Sequence, residues 1–135
     1  MRKLSVGLFF LLALILAINA NAGEFGVLKS KIADARDALV TMLNDPAMRD
    51  EKQQKKVKET ADDVSATMKN MTAPAGKELE FKELKDTWNA FKKTREEELV
   101  PLILKNKMNE AKKIGGGIQK DRLRRINSLC ELLDK

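Results

Sequence analysis

Apolar residues recur along this chain in steps of three and four. Phe25, Leu28, Ile32, Ala35, Leu39 and Met42 form the first seam, and two apolar positions in seven is the spacing by which a helix packs on near-parallel neighbours. Asn44-Asp45-Pro46 predicts its end, because the residue before a proline avoids helical torsions and Asx residues favour turns. A second seam, Val57, Ala61, Val64, Met68 and Met71, predicts a second helix. Its start, from Arg49 to Lys56, is almost all charged or amide, so it predicts an exposed or frayed stretch. Thr72-Ala73-Pro74-Ala75-Gly76 is the next turn, with Pro and Gly as breakers. Phe81, Leu84, Trp88 and Phe91 mark a third helix running to about Leu104, with Pro101 expected to bend or end it locally. Asn106-Lys107 reads as the following turn. The fourth helix runs from about Met108 to Asp134, with Ile126, Leu129, Cys130 and Leu133 as its stripe. Gly115-Gly116-Gly117 interrupts it; each glycine in a helix interior costs ~1 kcal/mol against alanine, so a kink or a break is expected there.

Four amphipathic helices joined by turns of a few residues predict an all-α fold, an antiparallel up-down-up-down four-helix bundle. Its N- and C-termini then share the end that carries the turn at 72–76. Met42, Met68, Met71 and Met108 fall at or near seam positions and read as gap-fillers.

The first residues read as a targeting segment. Arg2 and Lys3 precede an apolar or small run from Leu4 to Ile18, followed by Asn19-Ala20-Asn21-Ala22-Gly23. Ala20-x-Ala22 is the small-x-small pattern accepted by signal peptidase, so residues 1–22 read as a signal peptide and 23–135 as the bundle domain of a periplasmic protein. The alternative is an uncleaved helix anchoring the protein to the inner membrane, since Leu4 to Gly23 approaches the roughly 20 apolar residues a bilayer span needs. Two asparagines and the Ala-x-Ala site favour cleavage.

Charge and composition narrow the function classes. Removing Arg2 and Lys3 from the 26 basic residues leaves 24 against 20 acidic ones, a net charge of +4. These are interleaved, which describes a solvated helical surface and not a nucleic-acid stripe. Phe25, Phe81, Trp88 and Phe91 sit at core spacing, leaving no aromatic series for base stacking. The chain has no histidine, so the commonest general base and metal ligand is missing. The single cysteine, Cys130, lies in the stripe of the fourth helix and reads as a small buried hydrophobe. Without His or Cys-x-x-Cys-His a haem bundle is excluded. Asp62-Asp63 and Glu96-Glu97-Glu98 are adjacent on a helix and point in different directions, so neither supplies the paired carboxylates of a hydrolase. No catalytic residues, cofactor or metal site are expected.

Three charged residues break the pattern. Continuing the third seam from Phe91 by four and then three lands on Arg95 and Glu98; stepping back along the fourth from Ile126 by four lands on Arg122. Charges at core positions must be paired, solvated or aimed at a ligand. In one reading Arg95 and Glu98 pair at i,i+3, Leu99 and Ile103 take over the core through a register shift, and Arg122 lies over Trp88 or Phe91 as a cation–π contact. In the other, Arg95 and Arg122 line a cavity or dimer groove, with Glu98 and Trp88 beside them, and hold a small organic anion through their planar forks.

The run Asp86-Thr87-Trp88-Asn89-Ala90-Phe91-Lys92-Lys93-Thr94-Arg95-Glu96, then Val100-Pro101-Leu102-Ile103, Asn106-Lys107-Met108-Asn109-Glu110-Ala111 and Gly117-Ile118-Gln119-Lys120-Asp121-Arg122 resembles the ligand-binding four-helix bundle of bacterial methyl-accepting chemotaxis proteins. The resemblance covers about Leu84 to Leu133; in the first half only Ala35-Arg36-Asp37-Ala38 echoes it. It implies a periplasmic sensory bundle that often dimerises and takes organic acids or amino acids near helix-lined clefts, with Arg95 and Arg122 at matching positions. A receptor of this family continues into a second membrane span, a relay domain and a signalling coiled coil. None follows in this sequence, so signal transduction is expected to need a membrane receptor partner. The competing expectation is a periplasmic helical interaction or chaperone-like protein with no small-molecule ligand.

Overall fold

The computed structural model describes residues 23–135, so the leader read at residues 1–22 lies outside the described residues. All regular structure among the described residues is helical: α1 (Glu24–Asn44), α2 (Glu51–Lys69), α3 (Glu78–Thr94), a π turn (Arg95–Leu99), α4 (Val100–Leu104), α5 (Met108–Gly116) and α6 (Ile118–Leu133), with a short 3-10 turn at Pro46–Met48. The helices form four columns, because α3, the π turn and α4 run on from one another and α5 meets α6 at Gly117. No helix among the described residues is long and apolar enough to cross a membrane.

Side-chain bonds fix how the columns meet. Between α1 and α2, Lys31 Nζ lies 3.0 Å from the Asp63 carboxylate, and the Ala38 carbonyl accepts from Gln53 Nε2 at 2.9 Å. Between α3 and α6, Arg125 grips Glu83 through two bonds of 2.7 Å, and Gln119 Nε2 donates to the Phe91 carbonyl at 2.9 Å. Lys29 on α1 reaches Glu131 on α6 at 3.0 Å. Between α2 and α3, Trp88 Nε1 donates to Ser65 Oγ at 2.9 Å and Lys92 pairs with Asp62 at 2.8 Å. The ends of the described chain meet: a Cβ at Gly23, whose φ is 81°, would collide with the Asp134 carboxylate.

The seams enclose two apolar clusters. The larger holds Phe25, Leu28, Ile32, Val64, Phe81, Trp88, Ile126 and their neighbours; the smaller holds Ala38, Leu39, Met42, Val57, Leu99, Ile103 and Ala111. Cys130 lies in the larger one, where burial pushes its thiol up to about 11. In helix order, Thr94, Arg95 and Gln119 stand between the clusters, and all three are buried.

Several local expectations are corrected or sharpened. The start of α2 is not frayed. Asp50 caps it by accepting from Gln53 N at 2.8 Å, and Arg49 donates to the Met42 and Leu43 carbonyls at the end of α1, at 2.8 and 3.2 Å. Capping and satisfied terminal carbonyls hold this segment where apolar burial does not. Glu98, placed in the core by the seam, is exposed, and Leu99 is buried instead. The cause is the π turn: Val100 N bonds Arg95 O, which inserts one extra residue into the turn and brings Leu99 and Ile103 inward. Arg95 and Glu98 therefore do not pair. Pro101 follows in the first turn of α4, where its missing N–H is tolerated. The column ends in a Schellman motif, with Asn106 at φ 57°, Asn106 N on Ile103 O at 3.0 Å and Lys107 N on Leu102 O at 2.8 Å.

The three glycines break the last column at one residue. Gly116 ends α5, and Gly117, at φ −102° and ψ −110°, separates it from α6. A Cβ on Gly117 would sit 2.8 Å from the backbone oxygen of Lys113, whereas one on Gly116 meets nothing within 4 Å. The two alanine variants should therefore move stability in opposite directions. Gly116→Ala is expected to stabilise by up to about 1 kcal/mol through helix propensity, and Gly117→Ala to destabilise by more than about 1 kcal/mol. Urea unfolding of both variants checks this; equal shifts of the same sign would remove the steric account of the break.

Candidate functional site

A cleft of about 580 Å³ opens between α1 and the α5–α6 column, with the α3–α4 column as its floor. Positions 29, 32, 33, 36, 39, 40 and 43 of α1 form one wall, as three-and-four spacing requires of a single helix face. Gln119, Lys120, Leu123, Arg124 and Asn127 of α6, continued by Ala111 and Gly115 of α5, form the other. Phe91, Arg95, Leu99 and Ile103 line the floor. Gly115 and Ala111 keep the second wall low, and the π turn aims the floor residues between the walls.

The cleft has one sign of charge. Five cationic side chains line it (Lys29, Arg36, Arg95, Lys120 and Arg124) and no carboxylate does. Lys29 and Arg36 have acidic neighbours beyond the lining, Glu131 at 3.0 Å and Asp37 at 3.4 Å. Lys120 and Arg124 are exposed and make no ion pair among the described residues.

Arg95 is the unusual member. Its side chain is 0% exposed. Nη2 donates to the Val57 carbonyl at 2.9 Å, while Nε and Nη1 have no hydrogen-bond partner. Burial lowers its pKa to about 10, only weakly opposed by neighbouring Glu96. A guanidinium carries five donors and cannot shed its charge at neutral pH. A buried cation with open donors on the floor of a basic cleft is disposed to receive an anion.

The other charged or aromatic residues marked by the sequence sit around this floor. Arg122 does not line the cleft. Its Nη1 donates to Thr94 Oγ1 at 2.8 Å and to Gln119 Oε1 at 2.9 Å, so it holds the Gln119 amide, which does line it. It makes no cation–π contact with Trp88 or Phe91; Lys85 over Phe81 is the cation–π pair among the described residues. Trp88 is buried behind the floor, stacked at 5.6 Å on Phe91, which forms part of it. Glu98 is exposed outside the cleft. Sequence reasoning missed Lys29, Arg36, Lys120 and Arg124. Each stands on the polar side of its helix, where a lone cation is ordinary; only the meeting of two helix faces gathers them. No family profile, curated protein or solved structure matches the chain, so the likeness to chemoreceptor domains rests on the residues of its second half.

Proposed function

We propose that this protein is an exported sensor-type binding module that takes a small organic anion into the α1–α6 cleft. In this reading the helices form an antiparallel up-down-up-down bundle, freed in the periplasm by cleavage after Ala22. The bundle passes occupancy on through a homodimer or a membrane receptor partner, as a chemoreceptor-like domain would. The observation that carries the proposal is the set of five cations without a carboxylate, among them the buried guanidinium of Arg95 with one nitrogen bonded and two without a partner. Arg122 and Trp88 serve from behind: the first fixes Gln119, and the second backs Phe91. No catalytic role is assigned to any residue.

The test is the melting temperature of the purified chain against a panel of small carboxylates, amino acids and phosphates. A ligand at 100 times its dissociation constant adds ~2.7 kcal/mol, which is several degrees for a domain of this size. The Lys120→Ala/Arg124→Ala double variant is expected to bind more weakly. Arg122→Ala is expected to bind less well only as far as Gln119 is released. A panel in which no anion moves the melting temperature would overturn the proposal.

A further inference from the structure

The cations are not spread evenly over the cleft. Along α1 the lining reads Lys29, Ile32, Ala33 and Arg36, then Leu39, Val40 and Leu43. Along the floor Arg95 is followed by Leu99 and Ile103, and along the far wall Asn127, Arg124 and Lys120 give way to Gly115 and Ala111. Arg36, Arg95 and Lys120 are thus the last charges on three separate elements before the lining turns apolar. Gln53 on the Ala38 carbonyl and Arg95 on Val57 lie one turn apart along α2, and Gln119 holds Phe91 one turn before Arg95, so these positions fall within about one to two turns of one another. Beyond these positions the lining holds no charged side chain. The apolar half belongs to the smaller core cluster, where Leu39, Leu99, Ile103 and Ala111 also take part. From Arg36 to Leu43 it extends about 10 Å at 1.5 Å per residue.

We infer that the cleft is built for an amphiphilic monoanion, with its head at Arg36, Arg95 and Lys120 and an alkyl chain of medium length laid along Leu39, Val40, Leu43, Leu99 and Ile103. This rests on the anion-binding reading above and narrows it. A compact polar ligand such as an amino acid or a dicarboxylate would leave the apolar half unfilled or place a second charge against it, which is costly. A neutral hydrocarbon would leave the Arg95 donors open. An anionic head with one tail satisfies both halves.

Titration calorimetry on the full chain decides it, using acetate, butanoate, hexanoate and octanoate below any micelle concentration, with octylammonium as a chain of the opposite charge. Each methylene added within the apolar half is expected to tighten binding about threefold to fourfold. Octylammonium is expected not to bind. Val40→Glu places a charge at a half-buried tail position and is expected to remove the chain-length dependence while acetate still binds. Lys120→Glu, at an exposed head position, is expected to weaken all the carboxylates. If acetate and octanoate bind equally, the tail assignment fails and anion binding stands. If octylammonium binds as well as octanoate, the head assignment fails. If no carboxylate binds while another anion of the panel does, the amphiphile assignment fails and anion binding stands; if no anion binds, both readings fall together.

Discussion

Arg95→Met is expected to raise stability by about 1–4 kcal/mol, the range seen when a buried charge is replaced by a well-packed apolar side chain of similar size. The guanidinium is fully buried and keeps one hydrogen bond. Burial lowers its pKa to about 10, so the folded state disfavours the charged form. The sign follows from proton binding. Below about pH 10 the group is protonated in both folded and unfolded chains, so the destabilisation is constant across the neutral range. It is relieved only as pH rises above about 10, where the unfolded chain holds more protons than the folded one. The gain from Arg95→Met should therefore be the same at pH 6 and pH 8. Loss of the Val57 bond leaves no orphan, because that carbonyl lies within α2 and keeps its helical partner. The same variant should lose affinity for anions, so stability and binding move in opposite directions, as expected where a site stores an unfavourable charge for a ligand to neutralise. Urea unfolding and ligand titration on one variant test both halves. A loss of stability above about 1 kcal/mol would show that Arg95 is held by more than its single bond and would take away the argument for its open donors.

Trp88→Ala is expected to cost about 3–5 kcal/mol, the range for deleting a large aromatic side chain from a packed core. Trp88 is 1% exposed, packs on Phe91 and donates to Ser65, so its loss opens a cavity behind the cleft floor and removes one of the bonds between α3 and α2. Domains of this size have only about 5–15 kcal/mol of net stability, so the variant should be unfolded in part at moderate temperature. Trp88→Phe keeps the apolar bulk and loses mainly the Ser65 bond, so it should cost about 1–2 kcal/mol. Far-UV circular dichroism is the measurement, since the protein has a single tryptophan and its fluorescence leaves with it. Comparable losses in both variants would mean that the hydrogen bond, and not the packed volume, carries the contribution.

Much of the fold was legible because its signals are local. Phe25 to Met42, Val57 to Met68 and Phe81 to Phe91 fall on the buried faces that their spacing predicts, since a period of 3.6 is a property of the backbone. Asp45-Pro46, Pro74 to Gly76 and Asn106 mark the turns, because proline, glycine and asparagine limit or widen the torsions of their own residues. The sequence also singled out Arg95 as a charge on a core register, and it is buried. Continuing the seam misplaced Glu98, whereas the reading with a register shift that brings Leu99 and Ile103 into the core is the one the π turn realises. Of the exposed or frayed start expected for α2, most of the stretch is exposed but it is ordered, because Arg49 is held by the end of α1, a partner distant from the charged run itself. The cleft was beyond reach altogether. Arg36 and Arg124 lie 88 positions apart, each on the polar side of an amphipathic helix. Their common sign, and the division of the lining into a basic and an apolar half, arise only where α1, α6 and the bent third column converge. Periodicity along one helix states which face is buried; which faces are set against each other, and at what level, is decided by packing between helices.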